Sequence, residues 1–69
     1  MHTLVQKRGA EIVRSLTTEG YRLINRDPES NYYFLRHPNG NLMHVLVKLN
    51  EVIVFKNGII CKKELVTLR

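Results

Sequence analysis

The sequence predicts an α+β domain: one N-terminal helix packed on an antiparallel sheet of four to five strands, in the order α-β-β-β-β-β. Three observations predict it. Apolar residues recur at helical spacing near the N-terminus, the pattern turns extended after Gly20, and the turn signals Pro38-Asn39-Gly40 and Asn57-Gly58 divide the extended part into hairpins.

The helix spans about residues 3–18, because Val5, Gly9, Ile12, Val13 and Leu16 share one stripe about 100° wide at 3.6 residues per turn. Thr3 followed by Gln6 matches a capping box, and Gly20 stands where helices end in a left-handed residue. Lys7, Glu11 and Arg14 share the opposite, solvated face. Residues 21–26 are rich in strand formers, and Asp27-Pro28-Glu29-Ser30 is a turn with its backbone fixed by proline. Residues 31–37 form an aromatic strand that returns through Pro38-Asn39-Gly40 into residues 42–49. Asn50-Glu51 is a short turn, and residues 52–56 face residues 59–63 across Asn57-Gly58, a dipeptide that suits a two-residue hairpin turn. No internal repeat or linker interrupts the chain, so residues 1–69 read as one small domain.

Composition narrows the function classes. The chain has 69 residues, 43% hydrophobic and 25% charged, which excludes wholesale disorder and leaves no room for a two-domain enzyme with a deep cleft. The single cysteine, Cys61, cannot form an internal disulfide, and no apolar run reaches membrane-spanning length, so a cytoplasmic protein with no membrane association is expected. A net charge of +5 favours a polyanionic partner.

Strand alternation sorts the side chains if His37 pairs with Asn41 across a three-residue loop with Gly40 left-handed. One face then carries Tyr33, Leu35, Met43, Val45, Val47 and Leu49 and receives the helix. The other carries Tyr32, Phe34, Arg36, Leu42, His44, Leu46 and Lys48, joined by Arg22 and Arg26 from the first strand. Interleaved rings and cations suit single-stranded or looped nucleic acid, since each base stacked on an aromatic ring contributes about 1–3 kcal/mol and Arg or Lys neutralises phosphate; RNA more than DNA is the partner expected. The nucleic-acid-binding residues expected are therefore Arg22, Arg26, Tyr32, Phe34, Arg36, His44 and Lys48.

The last hairpin is apolar on both sides, with Val52, Val54, Ile59 and Cys61 on one and Ile53, Phe55 and Ile60 on the other. One helix covers one face of a sheet, so Val52, Val54, Phe55, Ile59, Ile60 and Cys61 are expected at an interface, either in a homodimer or with a protein partner docked as on a small phage-type or regulatory inhibitor.

Catalytic motifs are sparse. His2, His37, His44 and Cys61 lack the spacing of a metal-ligand set, the four glycines are accounted for by packing, capping or turning, and the six acids are scattered, so no metal or cofactor is expected. The one enzymatic alternative is metal-independent RNA cleavage, with His44 as general base and an arginine on the phosphorane. A non-enzymatic nucleic-acid-binding or regulatory protein is the leading expectation.

Residues 10–46 resemble the HicA-type mRNA-interferase toxins, which have a double-stranded-RNA-binding-like helix followed by three antiparallel strands. The shared features are the helix ending in Gly20-Tyr21, Arg26, Ser30 before the second strand, Phe34 within it, and His37-Pro38-Asn39-Gly40 at its end. The resemblance implies the fold and an RNA-facing sheet. Asn31 stands where the family has its catalytic histidine, and the Asn57-Gly58 hairpin replaces the family's second helix, so nuclease activity is not implied.

Overall fold

The helical stripe and the alternating strands bury each other as their periodicities require. The computed structural model describes residues 4–27 and 31–66, comprising helix α1 (Leu4–Thr18) and strands β1 (Arg22–Asp27), β2 (Tyr32–Arg36), β3 (Leu42–Val47), β4 (Glu51–Lys56) and β5 (Ile59–Leu65). The strands form an antiparallel sheet in the order β1-β2-β3-β4-β5. The α+β class is thus the one the sequence predicts. Thr3 of the capping box and residues 28–30 of the first turn lie outside the described residues.

Helix α1 lies across β3 and β4 and touches β1. Its buried residues are Val5, Gly9, Ile12, Val13 and Leu16, the whole of the expected stripe. Gly9 is the point of closest approach: a Cβ there would stand 2.5 Å from Val47 Cγ2. The helix stops at Gly20 (φ 104°), where the Gly20 N–H donates to Thr17 C=O and the Tyr21 N–H to Leu16 C=O, both at 3.1 Å. That pair of bonds is the Schellman motif, and it turns Tyr21 onto the core.

Both hairpins follow their turn chemistry. The His37 N–H donates to Asn41 C=O and the Gly40 N–H to His37 C=O, each at 2.9 Å, with Gly40 at φ 98°. Asn57 (φ 52°) and Gly58 (φ 85°) supply the two positive φ values of a two-residue hairpin turn. Asn57 also grips the neighbouring strand, its Oδ1 accepting from the Leu42 N–H and its own N–H donating to Leu42 C=O, both at 2.8 Å.

Leu35, Val45 and Val52 are fully buried beneath α1, with Met43, Val47 and Val54 beside them. Val52 and Val54, expected at a partner interface, are therefore part of the intramolecular core; their registers opposite Val47 and Val45 place them on the helix side. Leu49, expected in that core, is 86% exposed. The Lys48 N–H donates to Glu51 C=O at 2.7 Å, so Leu49 and Asn50 form the loop and β3 ends two residues early.

An ion pair ties α1 to β5. Arg8 Nε donates to Glu64 Oε2 at 2.5 Å and Arg8 Nη2 to Glu64 Oε1 at 3.1 Å, a bidentate fork. The hydrogen bond from Arg8 holds the Glu64 carboxyl below its ordinary value of 4.5. A carboxyl depressed in the folded state adds stability that is fully present above the unfolded value and lost as pH falls through the folded one. In urea melts from about pH 6 to about pH 3, the stability gap between the parent and Glu64→Gln is therefore expected to narrow with acidity; a constant gap would refute this.

Candidate nucleic-acid interface

The sheet face away from α1 is ordered in cross-strand rows. Pairing sets Arg22 opposite Arg36 and Arg36 opposite Leu42 in the first row. The second row runs Asn25, Phe34, His44, Phe55, Ile60, and the third Asp27, Tyr32, Leu46, Ile53, Lys63. Arg22, Tyr32, Phe34, Arg36 and His44 are thus brought together on one surface as expected.

One expected member, Arg26, is not. A bulge at Ile24 slips β1 by one residue, so Arg26 pairs with Tyr33 and falls on the helix side, its guanidinium carbon 5.5 Å from the Tyr33 ring centroid. A one-residue slip sends every following side chain to the opposite face, which brings Asn25 and Asp27 to the open side. Lys48 lies just past β3 beside the third row, two residues beyond Leu46 and about 20 Å from the arginine row.

His44 is the hub of the open face. Its ring lies 4.8 Å from the Phe34 ring, centroid to centroid, with the planes 32° apart, and its Nδ1 is hydrogen-bonded to the Tyr32 hydroxyl. That bond fixes the imidazole and occupies one of the two nitrogens general-base chemistry would draw on. Tyr32, His44, Leu46, Phe55 and Gly58 line an open hollow of about 200 Å³. Ile53 is 5% exposed among these side chains, while Ile60 (52%), Ile59 (73%) and Cys61 stand out at the β5 edge. Phe55, expected at a partner interface, is half-buried and continues the ring row beside His44.

Charge is segregated along the strands. Lys63 Nζ is 3.8 Å from Glu51 Oε2 at the third-row end, whereas Arg22 and Arg36 have no carboxylate partner among the described residues. Those two arginines, with Ile24, His37 and Pro38, line an open concavity of about 370 Å³. His37 Nδ1 accepts from the Asn39 N–H at 3.1 Å, and its ring stands edge-on to Tyr21 at 4.9 Å. Among the described residues no three His, Cys, Asp or Glu side chains are grouped to hold a metal ion, and no helix is long and apolar enough to cross a membrane.

Compared with known proteins, the chain matches no family model, no curated protein and no solved structure.

Proposed function

We propose that this is a non-enzymatic nucleic-acid-binding protein that takes single-stranded or looped RNA, more than DNA, on its open sheet face. One observation carries the reading: the Phe34–His44 stack lies two residues along β2 from Arg36, hence about 7 Å from two cations that no carboxylate among the described residues neutralises. That separation lets one nucleotide set its base on the rings and its phosphate at the arginines. The net charge of +5 assists encounter with a polyanion. The resemblance of residues 10–46 to HicA-type toxins supports RNA as the polyanion, and the exposed free thiol of Cys61 supports a cytoplasmic setting.

Fluorescence anisotropy with a labelled single-stranded RNA tests this. Phe34→Ala is expected to weaken binding by roughly 5- to 100-fold, the equivalent of one lost base stack. Affinity is expected to fall as salt rises, with a log–log slope near −0.7 for the one phosphate held at the arginine pair of a single strand. If Phe34→Ala and Arg36→Ala both bind RNA and DNA as the parent does, the proposal fails.

The exposure of Ile59 and Ile60 favours a second reading, in which the β5 edge is covered by a second copy of the chain as a homodimer or by a protein partner. Apolar association responds weakly to salt. Light scattering over a range of protein concentrations separates the readings, since a strict monomer excludes the homodimer.

A further inference from the structure

Like charges placed directly opposite each other across a strand pair repel and destabilise it, an effect that a bound counterion relieves. Arg22 and Arg36 are such a pair, register partners at the open end of β1 and β2. Their remaining cross-strand neighbour is the apolar Leu42. Among the described residues, Asp27, Lys48, Glu51 and Lys63 lie at or beyond the third row. Both arginines line one concavity, where no carboxylate of the described residues pairs with them, and a tetrahedral oxyanion is the group whose charge and acceptor geometry two guanidinium forks match.

The surroundings shape that volume into a seat. Ile24, the extra residue of the β1 bulge, forms one wall, and His37 with Pro38 at the head of the β2–β3 loop forms another. The His37–Asn39 and Gly40–His37 hydrogen bonds hold that second wall in place. The concavity of about 370 Å³ accommodates a phosphate together with part of the ribose attached to it.

We propose that Arg22 and Arg36 form a discrete phosphate-binding site, flanked by Ile24, His37 and Pro38. The proposal rests on the nucleic-acid reading for its ligand, which is the phosphate of a nucleotide chain, as either a backbone diester or a terminal monoester. One phosphate between the guanidiniums replaces repulsion across the strand pair with two charge-assisted contacts, offsetting the paired charge in part as a diester of one negative charge and nearly in full as a terminal monoester.

Amide NMR titration of the intact chain with inorganic phosphate, at an ionic strength held constant with chloride, tests the site without any base. Saturable shifts confined to residues 22–24 and 36–38 are expected, lost in Arg22→Ala and in Arg36→Ala and retained in Lys7→Ala; the dispersion of each variant's spectrum verifies its fold. Shifts that never saturate, that scatter over the lysines, or that survive both arginine substitutions overturn the site. A single-stranded RNA with a 5′-phosphate and its 5′-hydroxyl twin then distinguish the sources. Tighter binding of the phosphorylated strand by about tenfold or more, removed by Arg36→Ala, assigns a terminal monoester, whereas equal affinities that both drop with Arg36→Ala assign a diester. Equal affinities indifferent to both arginine variants overturn the proposal. If the phosphate shifts behave as expected while Phe34→Ala leaves RNA affinity unchanged, the site stands and base stacking fails. RNA binding that needs Phe34 but neither arginine does the opposite: stacking stands and the phosphate site is overturned.

Discussion

Leu35→Ala is expected to lower the free energy of unfolding by about 2–5 kcal/mol. Leu35 is fully buried, lies opposite Met43 and Leu23 in the ladder, and belongs to the cluster that α1 covers. Truncation removes the transfer energy of three carbons and leaves a void, because β2 is held between two neighbouring strands and cannot move inward to fill it. A chain of 69 residues has a total stability of only about 3–10 kcal/mol at 0.05–0.15 kcal/mol per residue, so this single change removes a large fraction of it. Urea denaturation followed by circular dichroism provides the measurement, with Leu49→Ala as comparison. Leu49 is 86% exposed in its loop, and its truncation should shift stability by less than about 0.5 kcal/mol. Equal losses from the two substitutions would contradict the placement of the core.

The second large effect is Gly9→Ala, where two forces of opposite sign compete. Alanine in a helix interior is about 1 kcal/mol better than glycine by propensity alone. At this position, however, the new methyl would stand 2.5 Å from Val47 Cγ2, well inside contact distance, and Val47 is itself 5% exposed in a packed core. Overpacking of this kind costs about 1–3 kcal/mol, so the expected net result is a loss of up to about 2 kcal/mol in spite of the propensity gain. The sign reverses in a Val47→Ala background: with the obstructing methyl gone, Gly9→Ala should stabilise by up to about 1 kcal/mol. A double-mutant cycle across Gly9 and Val47 reads the difference. Additive effects would mean that the helix does not approach β3 through Gly9.

Most of the fold was legible because local chemistry and global packing agree in this chain. Val5, Gly9, Ile12, Val13 and Leu16 state a helical face, and the alternation from Tyr32 to Val47 states which side of the sheet meets it. Gly20, Gly40 and the Asn57-Gly58 pair mark the points where the backbone takes positive φ. The departures occur where a hydrogen bond or a slip overrides alternation. Lys48 bonded to Glu51 turned Leu49 out of the strand, and the bulge at Ile24 carried Arg26 to the helix side. Val52 and Val54 joined the core because β4 lies beneath α1 along with β3, whereas the sequence pattern of the last hairpin is apolar on both sides and does not indicate which one the helix takes. Of the surface proposed to bind nucleic acid, the ring positions followed from β2 and β3 alone. The pairing of Arg22 with Arg36 depended on the register of β1, which one sequence with a poorly alternating strand leaves undetermined.

Because the strand order in the sheet repeats the order along the chain, every ladder joins neighbours in sequence, and the β2–β3, β3–β4 and β4–β5 connections are tight reversals of two or three residues. Such a meander keeps contact order low for a β-rich protein, so little loop-closure entropy opposes each zippering step. The contacts that span the chain are those of α1, which lays the Val5–Leu16 stripe on the finished sheet and, through Arg8 and Glu64, fastens its first turns to the last strand, 56 residues away. Local hairpins thus supply a template, and the docking of a single rod converts it into a cooperative unit.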